Sequence, residues 1–207
     1  MKYTSRHIEE AVEAFSALPS IGRKSALRLV LYLLGQDDSK SRRLSEAIAK
    51  LKTEVKSCSV CHAYADDPVC RICSDSARSR RQICVVESVK DMIAIEETQQ
   101  FSGTYHILSG LISPLDGIGP DDLNIDSLLQ RVDEGLAEEI IMAISPSIEG
   151  ETTIYYVSKL LEDKEVNISV IARGVSFSGD LEYADEITLG RSLISRMPYV
   201  QKSSAHG

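Results

Sequence analysis

The sequence predicts an α/β protein in three parts: a small N-terminal helical hairpin, a four-cysteine knuckle, and a mostly parallel sheet with flanking helices. Three observations carry that prediction. Up to about residue 56, apolar side chains recur at helical spacing around a Leu18-Pro19-Ser20-Ile21-Gly22 turn. Cys58, Cys61, Cys70 and Cys73 form two C-x-x-C pairs separated by eight residues. From residue 82 onward, short apolar runs alternate with helical patterns, as in a chain of βαβ units. The divisions expected are 1–56, 57–79, and 80–173 with a strand and helix extension over 174–199. Residues 200–207 are expected to fray.

In the first part, Ile8, Val12 and Phe15 stand at i, i+4 and i+7, the stripe of a helix that stops near Leu18-Pro19. Gly22 permits a tight turn, and a second helix runs from Arg23 to a glycine stop at Gly35. A helix opening on such a turn points backbone N–H groups and its positive dipole end outward, which suits a phosphate. Arg23, Lys24 and, one turn on, Arg28 would surround that phosphate. The plainer reading is a hairpin whose cations face water. A P-loop is excluded: Arg23 separates Gly22 from Lys24, the required upstream glycine is missing, and no strand leads in. Leu44, Ile48, Leu51 and Val55 mark a third helix over about 39–56, with Arg42, Arg43, Lys50, Lys52 and Lys56 on its polar face.

The cysteine spacing supplies four thiolates, the donor set of a closed tetrahedral zinc site. A closed site leaves no position for substrate, so one zinc ion per chain would build structure. His62 is not needed as a ligand. The polar stretch between the pairs is too short to bury a core, and metal binding would supply its folding energy. Two disulfides or a redox pair are the competing readings, and the polar first residues give no secretory signal that would favour disulfides. Cys84, in the run Ile83-Cys84-Val85-Val86, reads as a core residue.

In the last part the strand candidates are 83–86, 105–108, 139–144 and 167–172, with helical patterns over 89–97, 125–132 and 152–162. Ligands of such sheets gather beyond the carboxyl ends of the strands. Glu87 follows the first strand there, and Ser145-Pro146-Ser147-Ile148-Glu149-Gly150-Glu151 follows the third.

Charge is unevenly divided. The chain carries a formal net charge of -8, yet residues 1–83 hold fifteen basic and ten acidic side chains, and the remainder eight and twenty-one. A polyanion would therefore be held by the first half. There is no apolar run near eighteen residues, so no membrane span is expected and cytoplasmic residence is the default.

The Leu18–Leu29 stretch resembles a helix-hairpin-helix, a motif that grips DNA backbone with little sequence information. The second half is similar to a Toprim domain. Catalytic Toprim members hold magnesium with a glutamate after the first strand and an Asp-x-Asp, often followed by x-Glu-Gly, after a later one. Glu87 matches the glutamate and Glu149-Gly150 the trailing pair, but Ser145 and Ser147 replace both aspartates, which forfeits two negative charges. Glu87, Glu149 and Glu151 then form a vestigial or partner-binding acidic site. The three motifs in this order resemble the RecR family of recombination mediators. Gly110 to Pro120, Ile144 to Glu151, Ile171 to Gly174 and Gly179 to Asp185 are further family-like phrases.

That resemblance implies a protein without catalysis of its own, assembled as a ring-like homotetramer (a dimer of dimers). It implies sequence-independent binding of single-stranded, double-stranded or gapped DNA, and partnership with RecO and RecF in loading RecA. By motif position the turn residues Ile21 and Gly22 and the cations Lys24 and Arg28 carry the DNA contacts. Arg23 falls where many relatives lack a basic residue. The alternative, from a different class, is a magnesium-dependent Toprim nuclease or primase-like enzyme using Glu87 and Glu149.

Overall fold

The computed structural model describes residues 3–172, 181, 186–194 and 196. The expected Arg173-Gly174 and Gly179–Asp185 phrases, Leu181 apart, and the 200–207 tail lie outside the described residues. The chain divides into two compact units, residues 1–56 and 57–207.

The first unit is helical: α1 (Arg6–Ser16), α2 (Arg23–Leu34) and α3 (Asp38–Thr53). Val12, Ala26 and Val30 form its small buried core, joined by Ile8, Phe15, Ile21 and Leu27. Small Ala26 at the crossing lets α1 and α2 approach closely. None of the α3 residues is buried: Leu44, Ile48 and Leu51 are 39%, 54% and 62% exposed, so its apolar stripe has no cover.

The second unit opens with the knuckle, where β1 (Lys56–Ser57) pairs with β2 (Tyr64–Ala65) and the short α4 (Arg71–Ser74) follows. The sheet comprises β3 (Gln82–Val86), β4 (Thr104–Ile107), β5 (Glu139–Ala143) and β6 (Asn167–Val170), all parallel, in the order β4-β3-β5-β6. Its helices are α5 (Val89–Glu97), α6 (Ile125–Asp133) and α7 (Ile148–Leu160). A last helix, α8 (Glu186–Ile194), lies within the strand and helix extension expected over 174–199.

Because side chains alternate across a strand, each sheet face has its own core. Ile83, Val85, Ile140 and Met142 pack with Leu128 and Val132 of α6, Val157 of α7 and Leu161 just past its end. Cys84, Val86, Tyr105 and Ile107 face the other way, against Met92 of α5 and the four knuckle cysteines. The knuckle thus occupies a place that a second helix takes in a doubly wound sheet. Cys84 is a core residue, and burial pushes its thiol up to about 12.

The strand order reverses at β3, so Glu87 stands at the topological switch point, between the ends of β4 and β5. Helix α7 begins a turn earlier than the apolar pattern alone indicates, because the Ser147 hydroxyl accepts from the Gly150 N–H at 3.0 Å and caps it. Gly150 is required sterically: a Cβ there would lie 2.0 Å from the Ser145 carbonyl oxygen.

Candidate nucleic-acid interface and metal centre

The elbow between α1 and α2 is closed by two backbone bonds that each span three residues, Leu18 N–H to Phe15 O and Ile21 N–H to Leu18 O, both 3.2 Å. Its left-handed residue is Ser20, at φ 63°, whereas Gly22 sits in the extended region at φ -77°. The tight turn therefore does not draw on the conformational freedom of Gly22, contrary to expectation. Nor is Gly22 forced by packing, since a Cβ there would meet nothing within 4 Å. As N-cap of α2 it offers no side chain to the first-turn N–H groups. Arg23, Lys24 and Arg28 are all exposed, while Ile21 is half-buried against the small core. The elbow gathers a bare helix N-terminus and three cations at one surface. Farther along, Arg42, Arg43, Lys50, Lys52 and Lys56 are also exposed.

In the knuckle, Cys58, Cys61, Cys70 and Cys73 are all buried, with their Sγ atoms within 4.8 Å of one another. Cys61 and Cys70 stand 3.6 Å apart and no pair is bonded as a disulfide. Sulfurs at the corners of a zinc tetrahedron are about 3.8 Å apart, given Zn–S bonds of about 2.3 Å. Backbone N–H groups of Val60 and Cys70 donate to Cys58 Sγ, and that of Cys73 to Cys70 Sγ. Such donors stabilise thiolates. The crowded thiols also compete for protons: a hydrogen bond from Cys73 holds Cys61 down to about 5, while the same contact pushes Cys73 well up and burial raises Cys70. A divalent cation resolves that competition by replacing the protons. The donor set, burial and spacing fit one structural zinc ion.

His62 does not face the sulfurs. It takes a left-handed conformation, φ 64°, at the end of the first knuckle, and its Nε2 lies 2.7 Å from Ser127 Oγ on α6. Its ring meets that of His106 edge-on at 5.3 Å. The Cys61 carbonyl accepts from Ile107 N–H at 3.0 Å, tying the knuckle to β4.

At the switch point, Glu87 lines an open groove of about 470 Å³ with His62, Tyr64, Lys90, Ile107 and Ser109. Burial, then the Asp91 carboxylate, raises its pKa. Asp91 is itself engaged in capping α5, accepting from Ser88 N–H at 3.0 Å and from its hydroxyl at 2.7 Å. Glu149 and Glu151 are half-buried in the first turn of α7 and do not line that groove. Ser145 is exposed. Among the described residues, the only group of three or more His, Cys, Asp or Glu side chains placed to share a metal ion is the cysteine set.

Four family models cover nearly the whole chain: the RecR helix-hairpin-helix over residues 8–52, the RecR four-cysteine zinc finger domain over 55–75, the Toprim domain over 81–172, and the RecR C-terminal region over 174–197. Among curated proteins, Recombination protein RecR of Phocaeicola vulgatus is 52% identical over 195 residues, 94% of this chain and 95% of its own. That of Parabacteroides distasonis is 50% identical over 203 residues, 98% of each chain. The protein of the same name from Flavobacterium johnsoniae is 48% identical over 199 residues, 96% of this chain and 97% of its own. This chain belongs to the RecR family.

Within this RecR-family chain, several residues that matter carry no sequence signal of their own. Arg131 reaches from α6 to the β4 backbone, and His106 is fully buried beneath it. Arg78, which reads in the sequence as one more basic residue beside the knuckle, is instead half-buried. It bonds both Glu96 carboxylate oxygens and the carbonyls of Phe101 and Gly103. The acidic loop after β4 is also more than solvated surface: Ser113 Oγ donates to Asp116, and Gly119 N–H donates to Asp122 at 2.8 Å. An acidic side chain three residues after a turn N–H is a readable cue, and it marks the Gly119–Asp122 pair.

Proposed function

We propose that this chain is a DNA-binding recombination mediator in recombinational repair without chemistry of its own. The α1–α2 elbow holds sugar-phosphate backbone without regard to sequence, and the Toprim end receives protein partners. The observation that carries this reading is a pair of cations at the wrong end of a helix. Arg23 and Lys24 occupy the first turn of α2, which has no acidic residue and no side-chain cap. Positive charge at the positive dipole end is unfavourable by about 0.3–1 kcal/mol per residue. A local rule broken in this way marks a function, and an anionic ligand is what reverses the sign. Gly22 agrees, since its missing side chain serves neither the turn nor the packing of this chain and leaves room for a backbone approaching from outside.

The further expectations of the family resemblance belong to the same proposal: action with RecO and RecF to help load RecA on gapped single-stranded DNA, and cytoplasmic residence. So does assembly as a homo-oligomer, a dimer of dimers, for which the uncovered Leu44, Ile48 and Leu51 stripe of α3 offers an apolar surface. Several elbows on one strand would add avidity to the few phosphate contacts each can make. A non-catalytic Toprim end is supported by Ser145 and Ser147 where carboxylates would hold magnesium, with Ser147 engaged as a helix cap.

The test is DNA binding against salt for the wild type and the Lys24→Ala/Arg28→Ala double variant. On duplex DNA the double variant is expected to lower the salt slope by about 2 and to weaken binding to every sequence alike. Undiminished binding would remove the elbow from the mechanism. Incubating nicked, gapped and supercoiled DNA with magnesium or manganese tests the other half. No cleavage is expected, and cleavage abolished by Glu87→Gln would make the chain a Toprim nuclease instead.

A further inference from the structure

Arg131 is a cation held by neutral groups. Its Nη1 donates to the Tyr105 carbonyl at 2.7 Å and to His106 Nδ1 at 3.2 Å, and its Nη2 donates to Thr104 Oγ1 at 3.0 Å. Among the described residues it forms no ion pair with a carboxylate. His106 shares none of the charge. Its Nε2 faces the Asn124 carbonyl at 2.7 Å, which can only accept, so Nδ1 is the acceptor for Arg131 and the ring is neutral.

The zinc centre has the opposite imbalance. Four thiolates around a divalent ion leave a net charge of about -2 in a buried pocket, which needs a compensating cation or donors. Arg131 and Cys73 line the same cavity. The knuckle reaches the α6 side along the β4 edge: Ile107 N–H is given to the Cys61 carbonyl, and His62 Nε2 lies 2.7 Å from Ser127 Oγ, one turn before Arg131.

We infer that Arg131 is the counter-charge of the tetrathiolate zinc centre, delivered from α6, and that it helps the knuckle retain its ion. It is a positioning residue: it touches the sheet and acts on the metal through its field. Arg80 lines the same cavity but is exposed to solvent, where screening weakens its effect.

The inference is tested on the full-length zinc-loaded protein by transfer of zinc to a colorimetric chelator. Three variants are compared: Arg131→Gln, Arg131→Lys and Arg80→Gln. Arg131→Gln is expected to release zinc about 10- to 100-fold faster, with Arg131→Lys close to wild type and Arg80→Gln unchanged. With cobalt in place of zinc, the sulfur-to-metal charge-transfer band should shift in Arg131→Gln and return in Arg131→Lys. Equal release by Arg131→Gln and wild type would overturn the inference. Release from Arg131→Lys at the rate of Arg131→Gln would also do so, because it would mean that the planar hydrogen bonds matter and the charge does not. Should Arg131→Gln not fold, Arg131→Lys decides alone: wild-type retention upholds the role of charge, and rapid loss overturns it.

Discussion

The Thr153 hydroxyl accepts the Ile112 N–H at 2.9 Å and donates to the Glu149 carbonyl at 2.7 Å, so one buried side chain fastens the loop after β4 to helix α7. Thr153 is 0% exposed, and water cannot replace it. Thr153→Val keeps the volume and strands the Ile112 N–H, at an expected cost of about 1–3 kcal/mol in urea denaturation. The same variant should be cleaved faster by protease within residues 112–123, since that loop loses its fastening first.

Gly22→Ser should separate stability from function. Serine suits the extended N-cap backbone at this position and supplies the missing cap, for a gain of a few tenths of a kcal/mol in thermal unfolding. Binding to DNA should fall, because the new side chain occupies the space through which a phosphate would reach the α2 N-terminus. A variant that gained stability and bound DNA as before would show that the gap is incidental.

Gly150→Ala is expected to be among the most damaging single-methyl changes in the chain. The added carbon would meet the Ser145 carbonyl oxygen at 2.0 Å, and backbone cannot swing aside as a side chain can. A loss of about 3 kcal/mol or more is expected, read as a lower urea midpoint. Gly117→Ala, at a left-handed residue with open space around it, should cost only about 1 kcal/mol.

His106 makes stability depend on pH. Burial first, and the nearby Arg131 charge after it, push the ring down to about 3, far below the ordinary value of about 6.5. In the unfolded chain the ring gains a proton near pH 6.5, whereas the folded protein excludes it until about pH 3. The unfolded state thus binds more protons across that window, and stability falls with acidification by up to about 1.4 kcal/mol per pH unit. Comparing His106→Gln with wild type at pH 7 and pH 5 isolates this contribution, because thiolate protonation is common to both. The variant's slope should be shallower by about one proton.

Most of this architecture was legible because its signals are periodic or chemically specific. The unbroken apolar run Ile83-Cys84-Val85-Val86 forecasts a strand buried on both faces, and the cysteine spacing forecasts the donor set seen in the knuckle. Boundaries moved where local hydrogen bonding outweighed apolar periodicity, as at the Ser147 cap. The elbow was placed correctly but explained wrongly. Ser20 takes the left-handed conformation that glycine would adopt more cheaply, so a turn formula identifies the bend without naming its strained residue. Arg131, His106 and the Arg78–Glu96 pair were not legible at all. Their partners lie 18 to 27 residues away in sequence, and no spacing rule links a helix arginine to carbonyls of the strand it covers.

The bond from Ile107 N–H to the Cys61 carbonyl has a consequence beyond the knuckle. Strand β4 lies at an edge of the sheet, and that amide is given to a segment folded around a metal. Stripping the ion should therefore uncover a template on which other chains can add, so that starvation for zinc is expected to show as insoluble protein before it shows as weakened grip on a nucleic acid. Light scattering during slow chelation, followed alongside DNA retention, orders the two events.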